Sequence, residues 1–161
     1  MDNGVDHSSN VYFSLNRALR NRKSDAGPFQ LWQPFLFFLM RALGRLPPWK
    51  GTVFRGGNEG IDQATVRRDY PRGRPIQWAA FSSTSQSARA VRPFVDKKVG
   101  VIFKIKVVTG RDIGQYSFFP KENEVLLTPN TRFTVTSEVY TDEEGYACVD
   151  LAETTGSVLT S

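Results

Sequence analysis

Two glutamates separated by one residue, Glu122 and Glu124, are the side chains best suited to chemistry in this sequence. The apolar residues 125–127 that follow indicate a β-strand, in which the side chains of residues i and i+2 point to the same face. We therefore predict a strand over 122–127 that projects two carboxylates side by side. Such a pair of like charges is unfavourable unless a cation or a chemical task compensates for it. The alternative is two solvent-exposed glutamates on an edge strand, where charge discourages aggregation.

An arginine at the end of a predicted strand is the second candidate. Residues 52–55 (TVFR) have strand character, and Gly56 and Gly57 follow them. A guanidinium group is planar and donates to two oxygens at once, so Arg55 suits a diphosphate. The alternative is an exposed arginine that simply precedes a turn.

Clustered hydroxyl groups form the third candidate. They occupy residues 82–85 (SSTS), where a predicted strand over 76–83 gives way to a short predicted helix over about 85–91. Hydroxyls both donate and accept, so they can bind a sugar or a carboxamide; the alternative is that they cap the helix. Arg89 and Arg92 come next and suit phosphates, or else form a solvated basic face.

The N-terminal third of the chain reads as helical. Apolar periodicity predicts a helix from about residue 11 that Gly27-Pro28 ends, and a second helix from Pro34 to about Leu43. The apolar run 35–40 is far shorter than the roughly 20 residues that span a membrane. We interpret this run as a buried helix.

Short strands and turns dominate from residue 50 onward. In residues 99–108, apolar side chains alternate with Lys104 and Lys106, which predicts one buried face. The fold class is α+β, with N-terminal helices followed by a mostly antiparallel sheet or sandwich. We expect one domain over 11–152, a disordered tail over 1–10 and a flexible tail over 153–161. The remaining predictions are a helix over 61–69, strands over 132–139 and 146–151, and turns of hairpin length at 128–130 and 142–145.

Composition argues against several catalytic classes. The 161 residues include one cysteine, Cys148, and one histidine, His7, so an internal disulfide, a cysteine-based zinc site and a Ser-His-Asp triad are not expected. Chemistry would rest on carboxylates, hydroxyls and cations. The net charge of +5 suits an anionic ligand but is also common in soluble proteins. No secretory signal is visible in the sequence.

Three stretches taken together resemble the mono-ADP-ribosyltransferases of the Arg–Ser–Glu class. They are VFRG at 53–56, the Ser-Thr-Ser motif at 83–85 after Phe81, and YSFFPKENEVL at 116–126. The last is similar to the arginine-specific eukaryotic-type enzymes, in which an aromatic-rich loop precedes a Glu-x-Glu strand. The resemblance covers roughly residues 11–140. It implies the α+β fold of that family, with a mostly antiparallel β-sandwich core of the ADP-ribosyltransferase type.

The resemblance also implies that NAD is the co-substrate and that no metal is required. By matching position, Arg55 contacts the pyrophosphate, Ser83 supports the nicotinamide-side ribose and Glu124 is the catalytic glutamate. The segment up to about Phe94 carries further contacts to phosphate and nicotinamide. The other residues expected on the cofactor side are Gly56, Thr84, Ser85 and Arg89.

On the acceptor side, the resemblance assigns Glu122 to the incoming group and implies that this group is an arginine of a protein or a small guanidino compound. Tyr116, Phe118 and Phe119 are expected to touch it from a loop over about 114–121. The alternatives are an NAD glycohydrolase with the same site and a non-catalytic module that binds NAD or nucleic acid. We expect a monomer with no membrane or nucleic-acid partner. It would act in the cytoplasm, or in another cell as a delivered effector.

Overall fold

Helices come first along the chain and strands follow, as the α+β prediction requires. The structure is a computed structural model that describes residues 11–57, 61–114 and 123–155, with backbone alone at 11–13. These ranges contain the following elements: α1 (Val11–Asn21), α2 (Ala26–Gly44), β1 (Trp49–Gly56), α3 (Gln63–Asp69), β2 (Pro75–Trp78), β3 (Ser82–Ser85), α4 (Ala88–Val91), a 3₁₀ turn (Arg92–Phe94), β4 (Ile102–Asp112), β5 (Glu124–Leu127), β6 (Thr131–Val135), β7 (Tyr140–Thr141) and β8 (Ala147–Glu153).

The strands form one curled sheet in the order β1-β3-β5-β4-β8-β6-β2, with β7 beside β8. Among the described strands, β4 and β8 run parallel and the other neighbouring pairs are antiparallel. The long strand β4 pairs with β1, and its last residues, Arg111 and Asp112, pair with β5. The predicted alternation in β4 is confirmed, since Phe103, Ile105 and Val107 are buried while the two lysines are exposed.

A second apolar cluster joins the helices to the sheet. Leu15 and Leu19 of α1 and Leu43 of α2 pack with Phe81, which precedes β3, and with Leu126 of β5. The helix pair therefore lies directly against the two strands that carry the Ser-Thr-Ser motif and Glu124. This packing fixes the position of those strands relative to α1.

The boundary predicted between the two helices is wrong. α2 begins at Ala26, not at Pro34, and the Asp25 carboxylate caps it by accepting the Gly27 N–H at 3.2 Å. Pro28 lies in the first turn of α2. The N–H groups of a first turn have no partner within the helix, so a proline there costs no intrahelical hydrogen bond. Pro34 is tolerated inside the helix.

The apolar run of α2 is only partly buried, contrary to its interpretation as a buried helix. Phe37 and Phe38 are 59% and 70% exposed, while Leu36 and Leu39 pack on the second cluster. Six consecutive residues span more than one helical turn, so their side chains point to all sides of α2. Because α1 and the sheet pack against only one side of α2, the remaining side chains stay exposed. Across the three described ranges, no helix is both long and apolar enough to cross a membrane.

One strand prediction also fails, and one predicted turn joins strands that do not pair. Residues 76–83 form two strands, because β2 pairs with β6 whereas β3 pairs with β5 in a different part of the sheet. The turn at 128–130 joins β5 to β6, which are not neighbours. The turn at 142–145 does close a hairpin, between β7 and β8. A short turn indicates that the chain reverses direction, but it does not show that the two strands it joins pair with each other.

Candidate active site

A cavity of about 370 Å³ opens where β1, β3 and β5 meet the segment of α4 and the 3₁₀ turn. The three motifs are far apart in sequence, but their strands are neighbours in the sheet. Six of the predicted site residues line this cavity: Arg55, Gly56, Ser83, Thr84, Ser85 and Glu124.

The Ser83 hydroxyl donates a 2.7 Å hydrogen bond to Oε2 of Glu124. Both side chains stand on strands that pair in register, with Ser83 opposite Leu126 and Ser85 opposite Glu124. On the other side of β5, the Glu124 carbonyl accepts the Ile113 N–H at 3.2 Å. The carboxylate therefore stands on a strand held from both sides, with a hydroxyl group that fixes its orientation.

Arg55 is half-buried and bonded to β3, so it is not the free surface arginine of the alternative interpretation. Its Nη1 donates to the Ser83 carbonyl at 2.8 Å. Arg55 also lines a second cavity of about 170 Å³, so its side chain lies between two cavities. This position suits a group with negative charge at its centre and a bulky part on either side.

The other two hydroxyls of the motif are occupied by structural contacts. Thr84 is 4% exposed, and its Oγ1 donates to the Val125 carbonyl at 2.6 Å. The Ser85 hydroxyl accepts the N–H of Ser87, the residue that precedes α4, at 3.1 Å. The two interpretations of the cluster therefore apply to different members: Ser83 faces the carboxylate, and Ser85 supports the start of the helix.

Gly56 lets the 3₁₀ segment approach the end of β1. A Cβ atom at this position would lie 2.9 Å from Cγ2 of Val95, too close for an ordinary contact. Phe94 lies at the rim of the cavity and is 88% exposed, at the end of the segment in which the resemblance implies contacts to phosphate and nicotinamide. Arg89 is exposed on α4 and does not line the cavity.

The second cavity contains a cation that sequence reasoning missed, Arg20 of α1. Nothing in the helical pattern distinguishes Arg20 from the nearby Arg17 and Arg22, so only the docking of α1 reveals it. On the same cavity, Trp78 Nε1 donates to the Tyr70 hydroxyl at 3.1 Å. Burial raises the pKa of Tyr70 above its ordinary value, so this phenol stays neutral and polar at physiological pH.

The predicted strand over 122–127 is wrong at its start. β5 begins at Glu124, and Asn123 has a φ of 48°, in the left-handed region that no strand adopts. The alternation of strand side chains therefore does not extend back to Glu122, and the strand-based reason for a side-by-side pair is lost. Glu122, with Tyr116, Phe118 and Phe119, lies outside the described residues.

The single cysteine offers no competing nucleophile. Burial, together with the neighbouring Asp142 carboxylate, raises the pKa of the Cys148 thiol to about 12. The reactive thiolate is therefore scarce at neutral pH. This agrees with a site built from a carboxylate, hydroxyls and arginines.

Comparison with known proteins identifies the family to which the chain belongs. The model of the family NAD:arginine ADP-ribosyltransferase (ART) matches residues 5–157. Mav, a candidate NAD(+)–arginine ADP-ribosyltransferase of Mycobacterium avium (strain 104), is 32% identical over 142 residues, 88% of this chain and 16% of Mav. T-cell ecto-ADP-ribosyltransferase 1 of Mus musculus is 32% identical over 127 residues, 76% of this chain and 41% of that protein. The chain thus spans less than half the length of either relative.

The fold also matches a solved structure. Vis toxin, an ADP-ribosyltransferase from Vibrio splendidus, superimposes with a TM-score of 0.69 at 23% identity, over 97% of this chain and 73% of the Vis chain. Vis has also been solved in complex with agmatine, and that structure aligns with a TM-score of 0.69 at 24% identity, over 94% of this chain and 72% of that one. At this identity the match establishes a shared fold.

Proposed function

The chain belongs to the NAD:arginine ADP-ribosyltransferase family, and from this premise we propose that it transfers ADP-ribose from NAD to an arginine side chain and releases nicotinamide. The acceptor is a protein arginine or a small guanidino compound. One observation carries the proposal: Glu124 accepts a hydrogen bond from Ser83 in a cavity that Arg55 also lines. The agmatine complex of Vis supports a guanidino acceptor, since agmatine carries that group.

The two cavities on either side of Arg55 fit a dinucleotide. Ligand-binding cavities typically measure about 300–1,000 Å³, and the larger of these two reaches about 370 Å³ by itself. Arg55 is placed to pair with the pyrophosphate, and Arg20 adds a second cation on the smaller cavity. Gly56 lines the same cavity, and its lack of a side chain leaves room for Val95 beside it.

Cleavage of the bond between nicotinamide and ribose needs no acid, because nicotinamide in NAD is already cationic and leaves as a neutral molecule. The transition state resembles a ribosyl oxocarbenium ion, as in glycoside cleavage. Glu124 accepts a hydrogen bond from the ribose 2′-hydroxyl and stabilises the developing positive charge. Ser83 keeps the carboxylate in position, and Arg55 holds the pyrophosphate.

The acceptor step is assigned to Glu122. Its carboxylate pairs with the incoming guanidinium, whose pKa exceeds about 12, and orients one nitrogen toward the ribosyl carbon. As the new C–N bond forms, that nitrogen loses a proton, which Glu122 accepts. We assign recognition of the rest of the acceptor to Tyr116, Phe118 and Phe119 in the loop that precedes Glu122.

The proposal is tested by incubating the protein with NAD and agmatine. We expect nicotinamide release and an ADP-ribosyl-agmatine product, both detected by mass spectrometry. A non-hydrolysable NAD analogue at 100 times its dissociation constant should raise the free energy of unfolding by about 2.7 kcal/mol. If the analogue gave no stabilisation and NAD no turnover, the protein would be a binding module of another kind.

Replacement of the exposed aromatic at the rim should weaken NAD binding without loss of stability. We propose that Phe94 stacks on one of the two rings of NAD, because it lines the cavity and is 88% exposed. Loss of one aromatic stack costs about 1–3 kcal/mol, so Phe94→Ala should raise the KM for NAD by about tenfold. Leu31→Ala, on an 84% exposed residue of α2, is the matched control and should leave KM unchanged. Equal KM values for the two variants would remove Phe94 from the site.

We also propose a cytoplasmic place of action, in the producing cell or in a cell that receives the protein as an effector. The similarity of the fold to a bacterial toxin supports delivery. We propose that the chain acts as a monomer, which light scattering of the purified protein would test. That no metal takes part stays a prediction, which an assay of turnover in the presence of a chelator would test.

A further inference from the structure

A buried amide on α1 binds the residue that precedes β3. Asn16 is 2% exposed, and its Nδ2 donates to the Phe81 carbonyl at 3.2 Å while its Oδ1 accepts the Phe81 N–H at 2.9 Å. The two residues are 65 positions apart in the chain. The carboxamide thus offers one donor and one acceptor to a single residue, as the backbone of a neighbouring strand would.

Strand β3 pairs more extensively with β5 than with β1. It pairs with β5 over its four residues, but its contact in register with β1 is limited to Ser85 opposite Phe54. Two long-range side chains also bind this segment: Arg55 binds the Ser83 carbonyl, and Asn16 binds Phe81 through two hydrogen bonds. They hold alternate residues of one short segment, and Ser83 is the residue that contacts Glu124.

We propose that Asn16 is a positioning residue for the transfer reaction, an inference that rests on the function proposed above. Asn16 holds Phe81 and thereby sets the position of Ser83, two residues further along, and of the Glu124 carboxylate. Helix α1 therefore takes part in placing the reactive groups, in addition to covering the core. A displacement of about 1 Å in such a group can lower the rate by about 100-fold.

The test compares Asn16→Leu, which keeps the size of the side chain and removes both hydrogen bonds, with a control of similar burial. We expect kcat for NAD turnover to fall by about tenfold or more while KM for NAD stays within about threefold. This is because the main contacts to NAD are assigned to Arg55 and Phe94, which lie on other elements than Asn16 and Phe81. Val135→Ala, on a residue of β6 that is 1% exposed in the other core cluster, is the control. It should lower the melting temperature without lowering kcat.

A double-mutant cycle shows whether Asn16 acts through Ser83. In a Ser83→Ala background, Asn16→Leu should change kcat by less than about twofold, because the group that it positions is already gone. The same loss of kcat in both backgrounds would overturn the proposal. A fall of kcat in Val135→Ala in parallel with its melting temperature would overturn it as well.

Amide hydrogen exchange separates this inference from the proposed function. The amides of residues 82–85 should exchange faster in Asn16→Leu than in Val135→Ala, whether or not NAD is turned over. If the wild-type protein did not turn over NAD, the proposed function would fail. Exchange at 82–85 that is the same in both variants would refute the role of Asn16 independently.

Discussion

Glu124→Gln is expected to lower both nicotinamide release from NAD and ADP-ribose transfer to agmatine by about 10³-fold. The substitution removes the negative charge that stabilises the ribosyl cation while the side chain keeps its shape. The amide oxygen can still accept the hydrogen bond that Ser83 donates to Glu124 in the native protein. Loss of one electrostatic contact to a developing charge costs about 10²–10³ in kcat, and a full charge lies at the upper end of this range.

The measurement is kcat for both reactions, with the melting temperature as a check on folding. Glu138→Gln is the matched control, because Glu138 is exposed and lies outside both cavities. It makes the same chemical change and should leave both rates unaltered. Turnover by Glu124→Gln at the wild-type rate would falsify the mechanism assigned to Glu124.

Glu122→Gln should separate the two reactions. Transfer to agmatine should fall by about 10²-fold or more, because general-base assistance typically contributes about 10²–10⁴-fold. Hydrolysis of NAD should persist within a few-fold of the wild-type rate, because it depends on Arg55, Ser83 and Glu124. The ratio of ADP-ribosyl-agmatine to free ADP-ribose in the same reaction measures the effect directly.

Exposed Glu143, on the turn between β7 and β8, provides the control for this second substitution. Glu143→Gln should leave the product ratio unchanged. An unchanged ratio in Glu122→Gln would contradict the acceptor role of Glu122. A wild-type protein that forms only free ADP-ribose in the presence of agmatine would instead be the glycohydrolase.

Local sequence signals identify Arg55, Ser83 and Glu124, which line one cavity in the structure. Arg55 follows a β-rich run and precedes two glycines, and the Ser-Thr-Ser motif and the Glu-x-Glu motif each adjoin a strand. The alternation of β4 also identified its buried face, because a strand buried on one side must repeat every two residues. These features depend on residues only a few positions apart in the chain, so they can be recognised from the sequence alone.

The errors arose where a helix cap, a backbone angle or the pairing of distant strands decided the outcome. The sequence predicts a helix that starts at Pro34, but α2 begins eight residues earlier, at Ala26, because the carboxylate of Asp25 caps it there. A continuous strand was predicted over 76–83, yet its two halves pair with different partners. Asn123, with its left-handed φ, lies outside β5, which begins at Glu124. None of these outcomes follows from the periodicity of the residues involved.

Residue types and their spacing point to carboxylate, hydroxyl and guanidinium groups in three motifs, in a chain with one histidine and one cysteine. Only the tertiary structure decided that Arg55 reaches Ser83 across 28 residues and that Ser83 reaches Glu124 across 41. It also decided that Asn16 of the first helix bonds to Phe81 and that Arg20 of the same helix lines the second cavity. The reason is physical, because strand order and helix docking follow from burying the whole apolar surface at once. No short segment contains that information.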